Sequence, residues 1–178
     1  FKPPGRHNAC NLLAATASAA VVGIGPAAIE RAVERFEGLS HRLEPVRETA
    51  GVLFINDSKC TSVDAGRCAL ESMSRPVILI AGGRPKGGGY RALRGLVEQK
   101  VKHLILMGEA ADEMIADLGD LVPVDRVESM EEAVESARRV AEPGDVVLLS
   151  PLAASFDMFR DFEHRGEVFR RVVRELAP

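Results

Sequence analysis

Residues suited to binding an anion are concentrated where apolar stretches of the chain stop. Residues 56–61 read N-D-S-K-C-T, residues 82–89 read G-G-R-P-K-G-G-G, and residues 150–156 read S-P-L-A-A-S-F. Ligands of open α/β sheets bind beyond the carboxyl ends of the strands, where helix N-termini present free N–H groups and partial positive charge. The junction at 150–156, ahead of a predicted helix, therefore predicts a site for an anionic small molecule.

The glycine-rich segment at 82–89 allows two interpretations. It follows an apolar run, but it resembles a phosphate-binding P-loop only loosely, because no Ser or Thr follows a Gly-Lys pair. In one interpretation the backbone approaches a ligand closely, and Lys86 supplies a charge for a carboxylate or phosphate. In the other the segment is a flexible solvent loop.

The segment at 56–61 also allows two interpretations. An Asp and a Lys close together at the end of a strand, Asp57 and Lys59, suit a metal–phosphate environment, whereas Ser58 and Thr61 are equally suited to capping a helix. A formal dinucleotide fingerprint, G-x-G-x-x-A at 23–28, follows a predicted helix rather than a strand, so it favours a helix–helix turn.

Composition excludes several classes of protein. With 178 residues, 46% hydrophobic residues and a net charge of -3, the sequence is that of a globular domain with no electrostatic reason to bind nucleic acid. Its apolar runs are too short to cross a bilayer, and it opens on no secretory signal. Three cysteines without metal-ligand spacing indicate free thiols in a reducing cytoplasm.

The spacing of apolar residues predicts an α/β fold. Unbroken apolar strands at 77–81, 103–107, 122–127 and 146–149 alternate with predicted helices at 62–73, 90–100, 109–117, 130–141 and 157–176. Segments 43–48 and 52–56 predict a hairpin that adds one antiparallel strand. The expected fold is a Rossmann-like, doubly wound, mostly parallel sheet with one antiparallel strand, preceded by a short helical segment.

That preceding segment, residues 1–39, differs in composition from the rest. Helices are predicted at 8–22 and 26–36, with apolar residues on one face of each. Because such faces need covering, we expect these helices to fold back on the α/β part, to be disordered or, as our first expectation, to pair with a second copy of the chain. The absence of an initial Met adds the expectation that the chain is a piece of a longer protein.

The order of the motifs resembles the Mur ligase family. The motifs are G-R-H-N-x-x-N at 5–11, H-R at 41–42, N-D-S-K-x-T at 56–61, G-G-x-x-K-G at 82–87 and L-S-P-x-x-A-S-F-D-x-F at 149–159. The last motif, followed by F-E-x-R-G at 162–166, resembles the members that add D-glutamate. The resemblance spans almost the whole chain. It is less close at Pro85, where the family commonly has Asp, and at Ser62, where it often has Asn.

The resemblance implies a domain assignment and a chemistry. Residues 1–39 are expected to be the tail of a central ATPase domain, and residues 40–178 a C-terminal Rossmann-like ligase domain that binds the incoming amino acid. ATP and Mg²⁺ are expected to be bound mainly by the central domain outside this chain, and no metal ligand is expected here. ATP would phosphorylate the carboxylate of UDP-N-acetylmuramoyl-L-alanine, and the amine of D-glutamate would attack the acyl phosphate.

The resemblance also implies roles for individual residues. Those expected at the nucleotide are Asn8, Asn11, Arg42, Asp57 and Lys59, and those expected at D-glutamate are Thr61, Lys86, Ser155, Phe156 and Phe162. Two rivals stay open: another Mur or folylpolyglutamate-type amide ligase, and a non-catalytic α/β ligand-binding module.

Overall fold

The computed structural model of the chain describes residues 4–177, which divide into two compact units between Leu39 and Ser40. The first unit contains helices α1 (Arg6–Val21) and α2 (Pro26–Arg35). The second contains, in chain order, β1 (Glu44–Thr49), β2 (Val52–Asn56), α3 (Val63–Glu71), β3 (Val77–Gly82), a 3-10 turn (Arg91–Leu93), α4 (Arg94–Lys100), β4 (Val101–Met107), α5 (Ala111–Leu118), β5 (Val124–Arg126), α6 (Met130–Val140), β6 (Val146–Leu149) and α7 (Phe162–Glu175).

The strands of the second unit form one six-stranded sheet in the order β1-β2-β6-β3-β4-β5. The pair β1–β2 is antiparallel, and every other neighbouring pair is parallel. The predicted fold class is therefore confirmed. Because β2, β6 and β3 are neighbours, the segments that follow them leave the sheet side by side at its carboxyl edge.

A two-residue turn joins β1 to β2. Thr49 pairs with Val52, and the residues between them, Ala50 and Gly51, have left-handed φ angles of 49° and 76°.

 Both angles suit a type I′ hairpin, whose twist matches that of the two strands it connects. The turn confirms the hairpin predicted for this part of the sequence.

Apolar layers cover both faces of the sheet. On one face Leu79 and Leu148 pack with residues of α3, α4 and α5, and on the other Ile78 and Val147 pack with residues of α6 and α7. Successive strand residues point to opposite faces, so strands covered on both faces must be apolar at every position. This is why the central strands lack polar alternation.

The last helix begins later than the sequence predicts. It was expected from residue 157, but α7 starts at Phe162, and Asp161 caps it by accepting a hydrogen bond from the His164 N–H at 2.6 Å. The preceding residues form a turn in which the Ser155 carbonyl accepts hydrogen bonds from the N–H groups of Met158 and Phe159. The turn and the Asp161 cap together delay the helix by five residues.

Three other predicted boundaries differ from the structure. The helix expected at 90–100 is a 3-10 turn followed by α4, the helix expected from 109 starts at Ala111, and the strand expected at 122–127 is reduced to β5. Pro123 contributes to the third difference, because it has no N–H to donate to a neighbouring strand. Elsewhere the predicted elements differ from the observed ones by a few residues at their ends.

The helices of the first unit bury no residue completely. Leu12, Ile29 and Val33 are half-buried, whereas Leu13 and Val21 are 69% and 85% exposed. The expected pairing of this segment with a second copy stays a prediction. Across residues 4–177, no helix is both long and apolar enough to span a membrane.

Candidate functional site

Three loops meet at the carboxyl edge of the sheet, after β2, β3 and β6. The loop after β3 is joined to the loop after β6 by paired backbone hydrogen bonds between Arg84 and Ala154, with N···O distances of 2.8 and 3.0 Å. The Gly82 N–H also donates to the Pro151 carbonyl at 2.9 Å. These bonds fix the start of the glycine-rich segment, so its first residues are part of the sheet edge and not a free solvent loop.

Lys86 and Thr61 are brought together from two of these loops. The Lys86 Nζ donates to the Thr61 Oγ1 at 3.0 Å. Lys86 also lines a cavity of about 230 Å³ whose wall includes Ser62, Asp64 and Tyr90. An ammonium and a hydroxyl beside an open cavity form a site that can bind a carboxylate.

Asp57 is buried at the end of β2. Its Oδ1 accepts a hydrogen bond from the Leu43 N–H and its Oδ2 one from the Ser150 hydroxyl, both at 3.1 Å. Burial raises the pKa of the Asp57 carboxyl to about 7, although these two hydrogen bonds and the charge of Arg42 act in the opposite direction. Each oxygen keeps acceptor capacity for a further donor, such as a ligand hydroxyl.

Lys59 and Phe162 are in direct contact. The Lys59 Nζ lies 3.7 Å from the centre of the Phe162 ring, in a cation–π arrangement. The other ring near Phe162 is that of His41, at 6.1 Å in an edge-to-face orientation. The resemblance assigned Phe162 to D-glutamate and Lys59 to the nucleotide, and the structure places the two side by side.

The segment that carries Arg42 is held by buried polar groups. His41 and Leu43, on either side of Arg42, have left-handed φ angles of 64° and 44°. The Lys59 N–H donates to the His41 carbonyl at 3.0 Å, and the Asn56 Nδ2 lies 3.0 Å from the His41 Nδ1. Arg42 itself is exposed. This conformation therefore presents the Arg42 guanidinium to solvent next to Asp57.

Ser155 and Phe156 follow the loop after β6. Ser155 is buried, whereas Phe156 is 64% exposed. Because α7 starts only at Phe162, the backbone at Phe156 is not the helix N-terminus that the sequence predicted. The site at this loop is therefore built without the helix-terminal N–H groups that were expected there.

Asn8 and Asn11 belong to the first unit, on α1. The Asn8 Nδ2 donates to the Pro4 carbonyl at 2.6 Å, and Asn11 is exposed. Their expected role at the adenine stays a prediction.

Sequence reasoning gave no role to Arg165, which contacts two of the three loops. Its guanidinium donates to the Ser58 carbonyl at 2.9 Å and to the Ala153 carbonyl at 3.3 Å. The signal for it was present in the pattern of α7, because Arg165 falls on the same face as the buried Phe169 and Val173. A charged residue in an apolar stripe needs buried partners.

Within residues 4–177, no group of three or more His, Cys, Asp or Glu side chains could hold a metal ion. The part of the chain that the structure describes therefore does not fit Mg²⁺ by itself.

The sequence profile of the Mur ligase, glutamate ligase domain matches residues 41–152, which include two of the three loops and the beginning of the third. The chain belongs to the Mur ligase family. Among named relatives, it is 48% identical to the UDP-N-acetylmuramoylalanine--D-glutamate ligase of Salinibacter ruber, over 97% of this chain and 38% of the relative. It is 47% identical to the ligase of the same name from Pseudomonas fluorescens, over 99% of this chain and 40% of the relative.

Solved structures share the fold at lower identity. MurF from Acinetobacter baumannii superposes with a TM-score of 0.72 at 20% identity, over 94% of this chain and 38% of that one. A pseudomurein peptide ligase type C from Methanothermus fervidus gives 0.74 at 17% identity, over 97% and 36%. The chain thus spans about two fifths of the length of the relatives it matches.

Proposed function

We propose that this chain is the C-terminal part of a cytoplasmic, ADP-forming ligase that adds D-glutamate to UDP-N-acetylmuramoyl-L-alanine in peptidoglycan synthesis. Residues 40–178 form the domain that binds D-glutamate, and residues 1–39 form the tail of a central ATPase domain. The observation that carries the proposal is the contact between Lys86 and Thr61 beside an open cavity, in a chain 48% identical to a ligase of that name.

The chemistry of D-glutamate fits the carboxyl edge of the sheet. A dicarboxylate needs a cation and hydroxyl donors, which Lys86, Thr61 and Ser155 supply. With the two carboxylates held, the amine is left to attack an activated carbonyl carbon. The work of the site is to orient that amine, which removes much of the entropic cost of bringing two molecules together.

The nucleotide side of the proposal rests on Arg42, Asp57 and Lys59, and the role of Asn8 and Asn11 of the first unit at the adenine is proposed from the resemblance alone. Arg42 and Lys59 supply positive charge for ATP phosphates and for the acyl phosphate formed from the acceptor carboxylate. Asp57 suits a ribose hydroxyl, because its two oxygens can accept one more hydrogen bond. Mg²⁺ and the main phosphate-binding loop are assigned to the part of the protein outside this chain.

In the proposed reaction, the acceptor carboxylate attacks the terminal phosphorus of ATP, which forms the acyl phosphate and releases ADP. The D-glutamate amine then attacks the acyl carbon, phosphate leaves, and the nitrogen loses a proton as the amide forms. Residues of this chain hold the amino acid and stabilise negative charge through these steps. Phosphoryl transfer itself needs the phosphate cradle of the central domain.

A binding experiment tests the assignment of D-glutamate. Titration of D-glutamate into the ¹⁵N-labelled chain should shift the amide signals of Thr61 and Lys86, and L-glutamate should bind less tightly. Lys86→Ala should weaken binding by about 1.5–3 kcal/mol, because one charge-assisted contact is lost. Ser155→Ala should act in the same direction with a smaller effect.

The matched control is Lys102→Ala, since Lys102 pairs with Glu142 and Asp145 outside the site. Equal D-glutamate affinity for the unmodified chain and Lys86→Ala would remove Lys86 from the site. The chain alone should neither hydrolyse ATP nor form the amide, and the full-length protein should release phosphate only when both D-glutamate and the UDP-linked acceptor are present. Ligase activity of the isolated chain would contradict the proposal that phosphoryl transfer needs the central domain.

A further inference from the structure

Arg165 is a fully buried arginine beside the candidate site. Its exposed fraction is 1%, and it is among the largest side chains that the α/β unit encloses completely. Removing a guanidinium from water costs several kcal/mol unless hydrogen bonds and opposite charge compensate for it. The hydrogen-bond partners of the guanidinium therefore show which elements its burial helps to hold in place.

All five hydrogen bonds that the Arg165 side chain makes within residues 4–177 end on the loops after β2 and β6. The Nε donates to the Ser58 Oγ at 3.0 Å, and the Nη2 donates to the Ser58 carbonyl at 2.9 Å. Both terminal nitrogens donate to the Ala153 carbonyl at 3.3 Å, and the Nη1 also reaches the Ala154 carbonyl at 3.4 Å. Each acceptor is a neutral oxygen within two residues of Lys59, which is predicted at the nucleotide, or of Ser155, which is predicted at D-glutamate.

The loop after β3 packs against the same place. A Cβ at Gly83 would lie 2.1 Å from the Ala154 carbonyl oxygen and 3.2 Å from the Arg165 Nη1. Gly83 has a φ of 129°, a conformation that favours glycine. Arg165 therefore lies under the point where the three loops meet.

Among the described residues, no carboxylate accepts a hydrogen bond from the Arg165 guanidinium. Burial lowers the pKa of the guanidinium to about 10, so it stays protonated at neutral pH, and Asp157 acts in the opposite direction through its charge. The Asp157 Oδ2 accepts a hydrogen bond from the Glu109 N–H instead. Arg165 therefore contributes positive potential at the base of a site for anions.

We infer that Arg165 is a positioning residue of the ligase, which holds the loops after β2 and β6 in the arrangement that receives D-glutamate and adds positive potential beneath them. The inference rests on the proposed function. The fork of the guanidinium reaches two loops at once, which a single ammonium cannot do. Replacing Arg165 should therefore affect substrate use more than the stability of the rest of the fold.

The test uses the full-length ligase with Arg165→Lys, Arg165→Ala and Ser58→Ala. A matched control is Arg47→Met, since the Arg47 Nη1 also donates to backbone carbonyls, those of Arg174 and Leu176 at 3.0 and 2.7 Å, but at the far end of α7. For each variant, KM for D-glutamate, KM for ATP, kcat and the melting temperature are measured. Arg165→Ala is also assayed with added guanidinium ion.

Arg165→Ala should raise KM for D-glutamate at least tenfold, and guanidinium should recover part of the loss. Arg165→Lys should keep the charge but recover only part of the affinity, and Ser58→Ala should raise KM several-fold because one of the loop contacts is lost. Arg47→Met should leave both KM values unchanged even if its melting temperature falls. If Arg165→Ala does not fold, the KM values of Ser58→Ala and Arg165→Lys for D-glutamate decide the test.

Unchanged KM for D-glutamate in Ser58→Ala and in every folded Arg165 variant would overturn the inference. So would the same loss of affinity in Arg47→Met, because the effect would then be a general consequence of destabilising α7. Failure of the proposed function gives a different result, in which the unmodified full-length protein shows no D-glutamate-dependent phosphate release at all.

Discussion

The two units of the chain bury their apolar residues to very different extents. In the α/β unit, residues such as Leu79 and Phe169 are completely enclosed, whereas no residue of α1 or α2 is fully buried. The helix caps differ in the same way. Ser62, Ser129 and Asp161 cap helices of the α/β unit through side-chain hydrogen bonds, and neither α1 nor α2 has such a cap.

The difference in burial and in capping predicts that the two units differ in stability. Hydrophobic burial and capped helix ends stabilise the α/β unit through its own contacts. The helices of the first unit have the helical pattern in their sequence but little burial to hold them, and isolated helices of this length are marginal in water. We therefore expect substitutions, pH and truncation to act unequally on the two units.

The largest expected effect is that of a cavity in the core. Phe169→Ala should lower the free energy of unfolding of the α/β unit by about 3–5 kcal/mol, because it removes a buried ring that the neighbours cannot replace. Leu13→Ala in α1, where the side chain is 69% exposed, should change it by less than about 0.5 kcal/mol. Urea titration monitored by circular dichroism measures both, and similar losses in the two variants would contradict the difference in burial between the two units.

A smaller effect is expected from pH, in the α/β unit. The pKa of Asp57 is raised to about 7, so between about pH 4 and pH 7 the folded state holds a proton that the unfolded chain has lost. Stability should therefore fall as pH rises through this window, by about 2–4 kcal/mol. Asp57→Asn should remove this part of the slope, which urea titrations at several pH values would measure. An unchanged slope in the variant would contradict the assignment to Asp57.

Removal of residues 1–39 is expected to have a small effect on the stability of the remaining α/β unit, about 1 kcal/mol or less, because that unit has its own core. If the first unit pairs with a second copy, the same truncation should abolish the dimer. Sedimentation of the chain and of residues 40–178 at high concentration tests this. A monomer in both cases would leave the exposed side chains of α1 and α2 to another partner.

The smallest expected effect concerns the start of α2. Gly25 has extended backbone angles, and a Cβ added there meets nothing within 4 Å, so Gly25→Asp can supply the missing cap. Exchange of a glycine for a capping side chain is worth a few tenths of a kcal/mol. Amide hydrogen exchange in α2 should slow slightly in the variant. The reverse change in the other unit, Ser129→Ala, should cost about 1 kcal/mol.

The architecture of the α/β unit could be predicted because its determinants are local. Unbroken apolar runs located the central strands, and the segment Thr-Ala-Gly at 49–51 located the hairpin. The order of the strands was not predicted, since no local pattern states that β6 lies between β2 and β3. The start of α7 was missed because the Asp161 cap competes with an equally helical pattern further upstream.

The sequence predicted which residues belong to the site but not how they contact one another. The motif order named Thr61 and Lys86, and the structure brings them into contact. Arg165 was given no role, because its importance depends on contacts such as the one with Ser58, which is 107 residues away in the chain and adjacent only in the folded structure.

 

The position of β6 has a consequence for how the protein is made. β6 is the last strand in the chain, yet it pairs with β2 on one side and with β3 on the other. While the ribosome is still translating the residues before Val146, the emerging polypeptide carries two apolar strands that lack their shared neighbour. Unpaired strand edges of this kind promote aggregation. Synthesis that stops early would therefore remove the middle of the sheet, and such truncated products should depend on chaperones or be degraded.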